Sequence, residues 1–185
     1  MIPIIILIYL LRFCTGNSPE VNYVVNMDSQ MEVCDEESLL FVDPSGVTVS
    51  RYNETIAYMS GHVKFLQAVG PDTMMEIILQ KEASGKYEIM FTHEICDLCG
   101  EVAKGPESDY YGYMKYFGIP DECPFEADDY PIKDFIVDTD DLPLNSNTAG
   151  RYQAFLTLYK NPEKDCKANK EFLCCLTMKL LIEID

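Results

Sequence analysis

Cationic side chains are scarce: Lys and Arg number 14 against 31 Asp and Glu, a formal net charge of −17. That balance repels phosphate backbones and anionic membrane surfaces, and no Lys/Arg cluster offsets it locally, so no nucleic-acid partner is expected. The acidity serves first to keep the chain in solution. Histidine is scarcer still, with only His62 and His93, and there is neither a Gly-x-Ser-x-Gly elbow nor a Gly-rich phosphate loop. His93 and Asp97 make at most half of a triad, and the acid pairs Asp128-Asp129 and Asp140-Asp141 read as solvated loop charges rather than a glycosidase pair. No enzymatic activity, catalytic residue, cofactor or metal site is therefore expected. The chain also lacks an apolar run of the roughly 20 residues that span a bilayer, so no transmembrane segment is expected. Internal repeats and low-complexity stretches are missing too, and 185 residues with 48% hydrophobic content suit one globular domain.

What is present begins with "MIPIIILIYLLRFCTG", an apolar run from Ile2 to Leu11 closed by Arg12 and by the small-residue pattern Cys14-Thr15-Gly16. It reads as a signal peptide at 1–16, with a mature domain at 17–185 and a secreted, extracellular destination. Cleavage after Gly16 leaves seven cysteines: Cys34, Cys96, Cys99, Cys123, Cys166, Cys174 and Cys175. In an oxidising compartment these read as disulfide partners with one left over. A zinc site at His93-x-x-Cys96-x-x-Cys99 with Cys123 lacks a second Cys-x-x-Cys knuckle. A redox pair at Cys96 and Cys99 lacks the surrounding alternation of strands and helices. Cys174 and Cys175 are adjacent, so on a strand they face opposite ways and take different partners. Asn53-Glu54-Thr55 is the one N-x-[ST] sequon outside the leader, and in an exported chain Asn53 is an expected glycosylation site.

Period-two alternation dominates the remainder. "KYEIMFTHEI" places Tyr87, Ile89 and Phe91 on one face, and "DYPIKDFIVD" places Tyr130, Ile132 and Ile136 against Phe135 and Val137. "FLCCLTMKLLIEI" sets Leu176, Met178, Leu180, Ile182 and Ile184 against Thr177, Lys179 and Glu183. Turns fall at Pro44-Ser45-Gly46 and Ala83-Ser84-Gly85. The pattern predicts an all-β fold, an antiparallel two-sheet sandwich or cup. The exception is the aromatic stretch "DYYGYMKYFGIPDECPF" at 109–125. There Pro106 and Ser108 can open a helix, and Tyr110, Tyr113, Met114 and Phe117 fall at i, i+3, i+4, i+7 spacing. The stripe caps the core or forms a movable flap over a ligand cavity, with Gly112 and Gly118 as points of give.

In order along the chain, "MEVCDEE", "MMEIILQKEASGKYEIMF", "ICDLC", "YFGIPDECPFEADDYPIKDFIVDTDDLPLNSNTAGRYQAFLTLY" and "CLTMKLLIEI" resemble the ganglioside activator protein of lysosomes. They are more similar still to the insect chemosensory B-type (CheB) proteins that share its pattern. The resemblance implies about eight antiparallel strands forming a cup around a lipid cavity, with a short helical lid, and carrier work without catalysis. It implies a Cys34 to Cys175 staple, worth roughly 4 to 5 kcal/mol in the chain-entropy model. It further implies Cys96 with Cys123 and Cys166 with Cys174, pairings that spacing alone leaves exchangeable. Extra central cysteines of the vertebrate activators are replaced here by Ile119-Pro120-Asp121-Glu122.

The expected partner is a lipid or other hydrophobic small molecule, in the chemosensory branch a cuticular hydrocarbon or pheromone cue. The mouth is expected at Tyr110, Tyr113, Met114 and Phe117, and the cup lining at Met75, Ile89 and Phe91. Methionines suit such a lining because the unbranched thioether adapts to varied chains. The alternative is an interaction protein without a cavity, docking on a receptor or channel through 109–117.

Overall fold

A computed structural model of the protein describes residues 21–53, 56–137, 139 and 144–184. The predicted leader at 1–16 lies outside these residues, as do Asp140-Asp141, Leu142-Pro143 and the last two residues of the sequon after Asn53. The fold is all-β, with ten strands in two antiparallel sheets and a few short helices among the described residues. The wide sheet runs β1 (Tyr23–Met27), β10 (Glu171–Ile184), β9 (Gly150–Lys160), β6 (Thr73–Ala83), β7 (Lys86–Ile95), with the short β2 (Glu32–Val33) on β10. In the narrow sheet, β5 (Ala57–Phe65) pairs with β3 (Val42–Asp43), β4 (Val47–Arg51) and β8 (Asp129–Phe135).

The strict alternation of β10 explains its central place. Leu176, Met178 and Leu180 pair with Leu156, Ala154 and Tyr152 of β9, and these face the narrow sheet, while Thr177 and Lys179 face away. Across the interface Val42, Met59, Val63, Tyr130 and Ile132 close the core. Met59 is fully buried. A second cluster, Val25, Tyr152 and Ile182 with Leu79, Val137 and Leu144, covers the wide sheet through the β8–β9 connection.

Two register shifts change which residues share a face. On β8, Ile132 lies opposite Gly61 but Phe135 opposite Met59, so one residue is inserted, and Asp134 takes φ 46° to absorb it. Phe135 therefore joins Tyr130 and Ile132 in the core instead of opposing them. On β7, Leu79 faces Phe91 whereas Gln80 faces Ile89, leaving Met90 as the extra residue. Side chains one position apart across such a bulge exchange faces, so Ile89 and Phe91 do not share one.

Three disulfides form: Cys34–Cys175, Cys96–Cys166 and Cys99–Cys123. The Cys34 staple is as the resemblance implies, whereas Cys96–Cys123 and Cys166–Cys174 do not form. Ile95 points into the core, so the next residue, Cys96, turns to the outer face. The 161–170 connection lies there, with Lys170 3.1 Å from both Glu76 and Glu94. Cys99, expected to be the odd cysteine, sits one helical turn on and is buried against Cys123. Among the described residues the free thiol is Cys174, which lies opposite Leu158 on the core face and is sealed from solvent.

Burial pushes the Cys174 thiol up to about 12. In the chain without residues 1–16 it should stay unreactive toward a thiol-specific chromogenic reagent at mildly alkaline pH, and one thiol should appear on denaturation. A raised folded-state value favours the native state below the unfolded thiol's ordinary range and withdraws that support as pH climbs toward about 12. Cys174→Ala should accordingly flatten the alkaline fall of Tm. Reaction of the native thiol as fast as a free cysteine would contradict this.

Candidate functional site

Between β7 and β8 the chain leaves the sheets and forms the aromatic segment. Helix α1 (Leu98–Ala103) starts at Asp97, whose carboxylate accepts from the Gly100 amide at 3.0 Å and from Lys164 Nζ at 2.9 Å. Burial pushes the Asp97 carboxyl up, but the Lys164 and Gly100 hydrogen bonds outweigh it and hold it below the usual range. Asp97 is thus a helix cap and an ion-pair partner, and His93 meets a different residue.

His93 stands on the inner face of β7 opposite Ile77, stacked on Phe91 with ring centroids 5.9 Å apart. Its Nε2 is hydrogen-bonded to the Tyr110 hydroxyl. Burial, with Glu101 and Asp109 adding to it, raises the Tyr110 phenol above its ordinary value. This contact ties the start of the aromatic segment to the overhanging end of the wide sheet. Ser108, buried, braces the same corner by donating to Glu101 at 3.1 Å and accepting from the Tyr110 amide at 3.2 Å.

The short helix expected through Tyr110 to Phe117 is one turn, α2 (Tyr111–Met114). An isolated turn fixes many dihedrals for few hydrogen bonds, and a competing set is available at the free edge of β8. The Lys133 amide donates to Tyr116 O at 2.9 Å, the Gly118 amide donates to Pro131 O at 2.7 Å, and Phe117 bridges to Ile132. The aromatic stripe is consequently divided. Tyr110, Met114 and Phe117 pack against the core with Tyr116, while Tyr113 is 41% exposed. Gly118 is required for close approach rather than for give, since a Cβ there would lie 2.6 Å from Pro131 Cγ. Gly112 has nothing within 4 Å and is free of that constraint.

Downstream, Cys123 is bonded to Cys99, the peptide to Pro124 is cis, and buried Phe125 exchanges backbone hydrogen bonds with Val69 at 2.9 and 3.0 Å. The segment is fixed at both ends. Its cleft, about 190 Å³, is of mixed character, lined by Val102, Tyr111, Met114, Phe117 and Ile119 together with Lys115 and Asp121. That is smaller than a pocket for a drug-sized molecule, roughly 300 Å³ or more. Among the predicted lining residues, Met75 packs half-buried on the core, Phe91 lies on the inner face 51% exposed, and Ile89 is 63% exposed on the other face. The structure therefore brings Phe91, His93 and Tyr110 together and leaves Ile89 out.

Sequence periodicity misses Tyr116 and Phe135, whose rings meet 5.5 Å apart beneath the segment. Asp134, a residue type that tolerates left-handed φ, is the signal that marks the bulge aiming Phe135 inward. His93 carries no predicted ligand role, and Cys96, Cys99 and Cys123 are consumed by disulfides. Among the described residues no helix is long and apolar enough to cross a membrane. Neither a family model nor a curated protein matches the chain.

Proposed function

We propose that the protein is a secreted, non-enzymatic carrier of a hydrophobic ligand, as its resemblance to the ganglioside activator and chemosensory B-type proteins implies. The observation that carries this reading is Phe91: a phenyl ring half in water on the inner face of the wide sheet, stacked on His93, which is hydrogen-bonded to Tyr110 at the start of the aromatic segment. An apolar ring so placed gains by being covered, and a lipid or hydrocarbon chain lying along Leu79 and Phe91 would cover it. Uptake then requires the 110–117 segment to lift, because Met114 and Phe117 occupy the space beneath it. In the chemosensory branch the ligand would be a cuticular cue. Three disulfides agree with export.

Native mass spectrometry with lipid extraction tests the reading. Near-stoichiometric bound lipid or uptake of a fluorescent fatty-acid probe is expected; a clean apo mass with no uptake refutes it. Tyr113→Ala should weaken probe retention about tenfold while moving Tm little, because the ring is exposed and contributes little to the core. The same packing of Met114 and Phe117 favours a second reading, a solid-cored protein docking on a receptor or channel through 109–117. Under it Tyr113→Ala weakens receptor capture and there is no cargo.

A further inference from the structure

Among the described residues the sheet edges differ in how far the protein itself covers them. Beside β1 the Asn26 side chain reaches the narrow sheet, its Oδ1 accepting from the Ala57 amide at 2.9 Å, and at the β4 edge the Gln30 side chain accepts from the Val49 amide at 2.9 Å. The β8 edge is taken by residues 116–118. Strand β7 pairs with β6 on one side, and among the described residues no backbone group outside β6 bonds to it. Its ten residues include Tyr87, Ile89, Met90 and Phe91, all exposed. A long, apolar, open edge is what soluble monomers avoid.

The geometry points to a second copy of this chain as the cover, joined through antiparallel β7–β7 pairing across a two-fold axis. The phase of the strand decides the register. Ser84 and Gly85, at φ 53° and 76°, form a two-residue turn, so Ala83 and Lys86 are a hydrogen-bonded pair and the Tyr87 and Ile89 amides point away from β6. Beyond the extra residue Met90 the phase resets, and Thr92 and Glu94, opposite Ile78 and Glu76, point away in their turn.

One two-fold register satisfies all four outward residues: Tyr87 opposite Glu94 of the second copy and Ile89 opposite Thr92. The bulge rejects shifts by two in either direction, which set an outward amide against an inward one. In the accepted register the side-chain faces also agree, with Ile89 over Thr92 and Tyr87 beside Glu94 on the outer face. Glu88 meets His93, and no like charges face each other. About eight backbone hydrogen bonds result, comparable to the roughly ten of an ordinary interface.

Because each copy is strongly acidic, with a net charge of −17 over the full sequence, such a dimer must tighten as salt rises, opposite to capture of a basic partner. Sedimentation of the full mature chain across the micromolar range should show monomer and dimer, with the dimer favoured at high salt. Amide exchange at Tyr87, Ile89, Thr92 and Glu94 should slow as concentration rises. Ile89→Pro removes an outward donor without touching the β6 ladder, and Ile89→Lys places a charge on the edge; each should raise the dimer Kd about tenfold or more with the far-ultraviolet spectrum unchanged. A chain that stays monomeric throughout overturns the inference. So does a dimer indifferent to both variants, or protection of these amides at monomer mass, which would mean that the chain covers its own edge.

Discussion

Replacing Cys34 and Cys175 together by alanine should lower the unfolding free energy by about 5 kcal/mol. The bond joins positions 141 residues apart, so its removal frees nearly the whole chain in the unfolded state. Little native structure is lost with it. The Cys34 amide still donates to Cys175 O at 3.0 Å, and the Cys175 amide still donates to Ser38 Oγ at 2.9 Å, so β2 remains on β10. The cost therefore falls on the unfolded ensemble, and guanidinium unfolding should show a lower midpoint with a larger m-value as the denatured chain expands. For a domain holding about 5 to 15 kcal/mol in all, the variant should be close to unfolding at body temperature. A loss below about 1 kcal/mol would show that the staple closes a loop already held shut in the denatured state.

The two-sheet architecture is legible wherever apolar residues alternate without interruption. On β10 the sequence period assigns Leu176, Met178, Leu180 and Ile182 to the core side and Thr177 and Lys179 to the other, as observed. The outward placement of Cys175 and the burial of Cys174 follow from the same period. What periodicity cannot carry is a change of phase. Asp134 and Met90 each insert one residue, and with it Phe135 moves inward and Ile89 moves away from Phe91.

The aromatic segment fails to be read for a different reason. Its spacing is helical, but the open edge of β8 offers it backbone partners from Tyr116 onward, and long-range pairing overrides a local preference of a few tenths of a kcal/mol per residue. Disulfide choice around Cys96 and Cys99 depends on the turn into α1, which places one sulfur outside and the other inside. Spacing in the sequence holds no record of that turn.

Phe135→Ala should cost about 4 kcal/mol, because it removes a buried ring and leaves a cavity that neighbouring strands cannot close. The ring lies opposite fully buried Met59 and has Tyr116 and Phe117 at 5.5 Å on its other side, so it is the floor on which the aromatic segment rests. Two aromatic contacts disappear with it, each worth about 1 kcal/mol beyond the area buried. Phe135→Leu fills much of the same space and should recover roughly half of the loss. The two variants separate packing from gating. If the 110–117 segment lifts for cargo, Phe135→Ala should speed exchange of a bound fluorescent fatty acid severalfold at temperatures where the fold is intact, and the Tyr116 and Gly118 backbone groups should lose protection first. Equal probe kinetics in wild type and Phe135→Ala, with the stability loss present, would place the segment outside the path of the ligand and leave Phe135 as a core residue alone.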